Sequence, residues 1–186
     1  KIDAMIAACA ENRVKLSCIF NNRYREGNAF IKRAIEQGRF GRMLSASAAV
    51  RWYREPDYYK NSPWRGTWAL DGGGALMNQS IHYVDLLLWF MGGAESLMAY
   101  TGTLLHTSIQ TEDTAVVALR FQSGALGSIV ATTSTYPGYP AEFFLAGERG
   151  SASVLDGVIR DWSFRDSDPL DEEAKLYIGG GEVDNL

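Results

Sequence analysis

From residue 96 to residue 155 the chain reads as strand after strand with no helix between them, and this limits the available folds more than anything else in it. Runs at 96–105, 112–121, 125–134, 141–146 and 151–155 carry strand patterning, and Gln122-Ser123-Gly124 and Gly147-Glu148-Arg149-Gly150 supply hairpin turns. Strands joined this way pair antiparallel, because a parallel neighbour needs a long crossover. An earlier strand is predicted at 43–53, with Leu44, Ala46, Ala48, Val50 and Trp52 alternating, and Val14 to Phe20 predicts a short buried strand. Helices are predicted ahead of the strand run, at 2–12, 25–37 and 75–91. The expected fold class is α+β: an open, mostly antiparallel sheet with helices on one face. Residues 54–74, rich in Tyr, Trp, Pro, Arg and Gly, lack a sustained period and read as a functional loop. Residues 165–186 turn polar and Gly-rich, and no packing signal is read there.

Composition narrows the function classes. Hydrophobic residues make up 46% and charged residues 22%, the balance of a globular domain. The formal net charge of −4 argues against a nucleic-acid or anionic-membrane partner, since both favour clustered Lys and Arg. No segment is long and apolar enough to span a bilayer and no signal-peptide pattern opens the chain, so a cytoplasmic location is expected. Cys9 and Cys18 sit among apolar neighbours and are expected to be reduced core thiols.

The third predicted helix carries the chemistry. At 100° per residue Asn78, His82, Asp85 and Trp89 fall on one stripe, while Ile81, Val84, Leu86, Leu87, Leu88, Phe90 and Met91 cover the rest. A helix apolar nearly all round is buried, so its polar stripe faces either polar partners or a built site. Two readings stand: His82 and Asp85 form a satisfied core pair, or His82 serves a site. A metal centre is not expected, because no second His or Cys lies at ligand spacing. Asp71-Gly72-Gly73-Gly74 just before the helix allows close backbone approach, but no G-x-G-x-x-G run exists anywhere in the chain.

Trp64 to Gly93, WRGTWALDGGGALMNQSIHYVDLLLWFMGG, closely resembles the signature of the Gfo/Idh/MocA oxidoreductases, the glucose-fructose oxidoreductase and inositol dehydrogenase family. Asn22-Arg23-Tyr24, Ile35 to Gly41, Glu112 to Ala115 and Phe121 to Ala125 agree with that family in order, and the resemblance covers roughly residues 1–160. It implies an N-terminal Rossmann domain binding NAD or NADP, followed by an α+β domain whose open sheet often mediates dimers. Residues 1–20 would then be a remnant of the Rossmann domain, and 21–186 the substrate-binding and dimerising domain, cut short at its C-terminus. The family's Glu-Lys-Pro motif is absent, and Lys1, not followed by Pro, does not take the role of its catalytic lysine.

Carried over position by position, the resemblance implies that His82 is the catalytic acid/base, with Asn78, Asp85 and Arg23 on the substrate side. Trp64 and Arg65 fall where the family approaches the nicotinamide end of the cofactor. The expected function is NAD(P)-dependent oxidation or reduction of a sugar, nucleotide-sugar or polyol, by a homo-oligomer formed through the open sheet, with the isolated chain inactive. Two alternatives remain open at this point: a non-catalytic dimerisation or sugar-binding module, and an NAD-dependent glycosidase of the same family.

Overall fold

A computed structural model describes residues 2–179. Its centre is a seven-stranded sheet in the order β2-β3-β4-β1-β5-β6-β7. The strands are β1 (Met43–Arg51), β2 (Ala94–Gly102), β3 (Thr114–Phe121), β4 (Leu126–Thr132), β5 (Glu142–Gly147), β6 (Gly150–Leu155) and β7 (Val158–Phe164). Only β1 and β4 run parallel; every other neighbouring pair is antiparallel. The α+β class, the open sheet and both hairpins are therefore as expected from the pattern.

One face of the sheet is the core. Ala115, Val117, Leu119 and Phe121 of β3 point inward, in register with Ile129 and Ala131 of β4, Ala46, Ala48 and Val50 of β1, and Phe143 and Leu145 of β5. Helix α2 (Glu26–Glu36) and helix α4 (Ile81–Met91) cover this face; α4 lies along β1, and α2 packs on α4 and β7. Helix α4 buries Tyr83, Leu86, Leu87, Phe90 and Met91, each worth about 1.5–3 kcal/mol of apolar burial. It stops at Gly92, whose φ of 84° suits a residue without a Cβ. Among the described residues no helix covers the opposite face, and Met98, Tyr100, Val116, Leu126 and Phe144 stand exposed there.

Several expectations are corrected. Helix α1 (Ile2–Glu11) forms, but none of its residues is buried. Val14 to Phe20 is not a strand: no strand of the sheet lies beside it, so its backbone has no ladder to join, and Val14, Leu16 and Ile19 are exposed. For the same reason Cys9 and Cys18 are not core residues; both are free thiols, and Cys18 is exposed. The loop at 54–74 contains a short helix, α3 (Pro56–Lys60), which buries Tyr59.

The polar tail also packs. Strand β7 is a full member of the sheet, and α5 (Pro169–Ala174) follows it behind a capping box made by Asp168 and Asp171. The Asp171 carboxylate accepts from the fully buried Arg39 guanidinium and from Trp162 Nε1–H at 2.8 Å, tying α5 to the end of α2. Burial alone would raise the Asp171 carboxyl, but these donors and the Asp168 backbone N–H outweigh it and hold it below the usual range. The remainder of the tail, 180–186, lies outside the described residues. Within 2–179 no helix is long and apolar enough to cross a membrane.

Candidate functional site at the start of helix α4

The predicted polar stripe exists, but it begins later than the periodicity suggests. Helix α4 starts at Ile81, and residues 75–79 are a series of turns. The cause is a residue far along the chain. Glu112 accepts the Gly74 N–H and the Leu76 N–H, both at 3.0 Å, and its own carbonyl accepts the Ala75 N–H at 2.9 Å. A Cβ at position 74 would sit 1.8 Å from that carbonyl oxygen, so the glycine is what lets the two segments meet. Asn78 is thereby taken off the helix. Its amide donates to Asp71 Oδ1 at 2.5 Å, and Asp71 Oδ2 accepts the Gly66 N–H at 2.8 Å.

On the helix itself His82, Asp85 and Trp89 do share one side, and residues 20–23 cover it. The Arg23 guanidinium donates to both oxygens of Asp85, at 2.7 and 2.6 Å. It also lies 5.3 Å from the Trp89 ring centroid and 5.9 Å from that of Phe20. The Asp85 hydrogen bond holds the Arg23 guanidinium even above its usual range. The expected substrate contacts Arg23 and Asp85 are thus engaged with each other, an arrangement that fits positioning better than free substrate binding.

His82 is half-buried, edge-on to Phe20 with ring centroids 6.2 Å apart. It makes no hydrogen bond to Asp85, whose oxygens go to Arg23, and its Nδ1 is buried with no partner among the described residues. The reading of His82 and Asp85 as a satisfied core pair does not hold. A buried ring nitrogen without a partner costs about 1–3 kcal/mol, and such a cost is found where a group awaits a ligand or a proton.

Trp64 and Arg65 lie in the loop ahead of α4. Trp64 is exposed, and the Arg65 guanidinium sits over the Tyr58 ring at 4.0 Å, with one N–H on the Tyr58 carbonyl at 3.2 Å. The Tyr58 hydroxyl in turn accepts from the buried Gln79 amide at 3.3 Å. Tyr58, Gln79 and Asp71 were not singled out as site residues by the sequence. The loop's aromatic and Arg content pointed to the region, but contacts across it are not written in any local spacing. Among the described residues no three His, Cys, Asp or Glu side chains gather as a metal site would require.

A nicotinamide dinucleotide needs a glycine-rich turn between a strand and a helix to cradle its diphosphate. No described strand leads through such a turn into a helix, so these residues do not fit the body of that cofactor.

Comparison with known proteins agrees with this picture. Residues 29–153 match the family model of the GFO/IDH/MocA C-terminal domain. Myo-inositol 2-dehydrogenase from Thermotoga maritima is 30% identical over 155 residues, covering 80% of this chain and 43% of that protein. Levoglucosan dehydrogenase from Pseudarthrobacter phenanthrenivorans is 25% identical over 72% of this chain and 40% of its own length. Among solved structures, the WlbA dehydrogenase from Bordetella pertussis in complex with NADH and UDP-GlcNAcA superposes with a TM-score of 0.87 at 42% identity, over 93% of this chain and 51% of that one. The chain spans about half the length of the relatives it matches.

Proposed function

We propose, from the premise that this chain belongs to the Gfo/Idh/MocA oxidoreductase family as its C-terminal domain, that it is the substrate-binding half of an NAD(P)-dependent dehydrogenase acting on a sugar or nucleotide-linked sugar. Residues 21–186 belong to that half, and residues 1–20 are a remnant of the cofactor-binding Rossmann domain. The observation that carries the reading is His82: a ring nitrogen buried without a partner among the described residues, at the first turn of a helix whose other side is core. Support on the substrate side comes from the 42% identical WlbA dehydrogenase, whose structure holds NADH and UDP-GlcNAcA.

In this reading His82 takes the proton of the substrate hydroxyl as its carbon is oxidised, and returns it in the reverse direction. An imidazole suits that task because its ordinary pKa lies close to working pH. The nicotinamide, when bound by the partner domain, supplies hydride transfer. Arg23 and Asp85 hold the helix stripe in place. Asn78 orients the substrate from the turn before α4, since an amide can donate and accept hydrogen bonds but cannot take up a proton. Trp64 and Arg65 line the approach.

The test is an assay of the protein joined to its cofactor-binding domain, with NAD and NADP and a panel of nucleotide-linked and free sugars. Reduction of the nicotinamide by at least one sugar, lowered about 10²–10⁴-fold by His82→Asn, is expected. No turnover with any sugar, or a normal rate in the variant, contradicts the reading. The described residues lack a diphosphate cradle, so the chain alone is expected to show no NADH binding by calorimetry, and micromolar binding would contradict that expectation. We also propose that the bare sheet face forms a homodimer. Light scattering should report a dimer, and Tyr100→Lys with Val116→Lys should yield a monomer.

A further inference from the structure

The turn between β6 and β7 touches three other parts of the molecule at once. Leu155 pairs with Val158, so Asp156 and Gly157 alone form the loop, with φ of 47° and 84°. Two left-handed residues in a row make a tight hairpin turn, which Asn, Asp and Gly all suit, so the turn itself does not call for a carboxylate. The carboxylate works outside the turn. Asp156 Oδ1 accepts from the Tyr83 hydroxyl of α4 and from the Ala141 N–H ahead of β5, each at 3.1 Å. The Asp156 carbonyl accepts from the Arg25 guanidinium. A Cβ on Gly27 would sit 2.2 Å from the Gly157 carbonyl oxygen, so the start of α2 rests directly on the backbone of this turn.

Tyr83 is the residue next to His82. Its ring is buried, stacked on Phe143 with centroids 5.4 Å apart and edge-on to Trp52 at 6.2 Å. Burial foremost, then the Asp156 charge and hydrogen bond, pushes its hydroxyl well above the usual phenol range, so it stays a proton donor. Two residues further on, Asp85 is held by Arg23 of the 3-10 turn Asn21–Tyr24. At 100° per residue Tyr83 and Asp85 leave the helix about 200° apart, so the two tethers hold it from nearly opposite sides and together oppose its rotation. The 3-10 turn is itself tied to Asp156 through Arg25, the residue that ends it. The contacts close a ring from Tyr83 through Asp156, Arg25 and Arg23 to Asp85. His82 stands between the two tethered helix residues, and its aromatic neighbour Phe20 directly precedes the tethered turn.

We propose that Asp156 is a positioning residue for the reaction: by holding Tyr83 on one side and the turn at 21–25 on the other, it sets the place of the His82 ring at the site. The proposal rests on the reading of His82 as the acid/base of a sugar dehydrogenase, and names a residue outside the site on which that histidine depends. Asp156 touches neither substrate nor cofactor in this role. It acts through the hydroxyl of Tyr83, and its effect on the rate passes through His82.

The test measures kcat, KM and melting temperature in the enzyme joined to its cofactor domain, with the sugar that the panel above selects. Tyr83→Phe removes the hydroxyl and keeps the ring, and Asp156→Gly removes the carboxylate while accepting the left-handed φ. Each should lower kcat per folded molecule by about tenfold, since small misplacement of a reacting group is costly, with KM changed by about twofold at most. Asp156→Asn should keep most of the parental kcat, because an amide oxygen can accept both hydrogen bonds and Asn tolerates this backbone. In a His82→Asn background Asp156→Gly should cost no further kcat, because both changes act on one group. Parental kcat in folded Tyr83→Phe and Asp156→Gly overturns the proposal, and so does a second tenfold loss in the His82→Asn background. Should Asp156→Gly fail to fold, Tyr83→Phe decides alone. A slow His82→Asn beside normal Tyr83→Phe and Asp156→Gly removes only this proposal, whereas a normal His82→Asn removes the acid/base reading and this proposal with it.

Discussion

The chain has two histidines, and they sit in opposite kinds of polar cluster. His106 is buried, packs against Tyr59 with ring centroids 4.8 Å apart, and uses Nε2 to bond the Thr133 carbonyl at 3.2 Å. The groups it touches are matched: the Tyr59 hydroxyl meets Thr133 Oγ1 at 2.8 Å, and the fully buried Asp113 carboxylate accepts from the backbone N–H groups of Leu104, Leu105 and His106. His82 is less buried, yet its Nδ1 has no partner among the described residues. A closed network of buried polar groups stabilises the fold, and an open one is retained at a cost to stability. On the proposed reading, this is the difference between a structural histidine and a working one.

The largest stability effect should come from the centre of the closed cluster. Burial alone would raise the Asp113 carboxyl, but the His106, Leu104 and Leu105 N–H groups outweigh it and hold it below the usual carboxylate range. Asp113→Asn turns an acceptor-only group into one that presents an NH2 to three N–H donors, and should destabilise by about 2–4 kcal/mol. The sign in pH follows from the depressed value. The carboxylate's contribution is fully present above the unfolded-state pKa of about 3.9 and is lost as pH falls through the lower folded value. Melting curves from neutral to acid should show the parent losing stability below about pH 4, and Asp113→Asn should show a flatter profile there. Equal melting temperatures at neutral pH would contradict the account.

Smaller effects sharpen the contrast from the open side. Asn78→Ala frees Asp71 of one hydrogen bond in a partly exposed turn, and should cost about 0.5–1.5 kcal/mol or less of stability. In the enzyme joined to its cofactor domain it should raise KM by about tenfold at most while kcat changes little, because the loss is of uniform binding. A kcat loss as large as that of a His82 variant would mean that Asn78 shares the proton chemistry.

How much of this was legible in the sequence depends on how far apart the partners are. The hairpins at 122–124 and 147–150, α2 and the inward faces of β1 and β3 follow from period and turn chemistry within a few residues. His82, Asp85 and Trp89 share a side of α4, as 3.6-residue spacing requires. Asn78 broke the pattern because Glu112 captures the backbone of 74–76 from another part of the chain. The packing of β7 and α5 rests on Arg39, Trp162 and Asp171 converging from three segments, although Asp168 and Asp171 do carry a readable capping box. Val14 to Phe20 shows the reverse case, an apolar run with strand composition and no strand beside it.

The most direct test of the central claim is to measure melting temperature and kcat together on His82→Asn and His106→Asn in the enzyme joined to its cofactor domain. The account predicts a double dissociation. His82→Asn should keep its melting temperature and lose about 10²–10⁴-fold in kcat, whereas His106→Asn should lose about 1–3 kcal/mol of stability with kcat per folded molecule intact. A His82→Asn protein that melts early and turns over normally would contradict the assignment and make His82 the structural histidine.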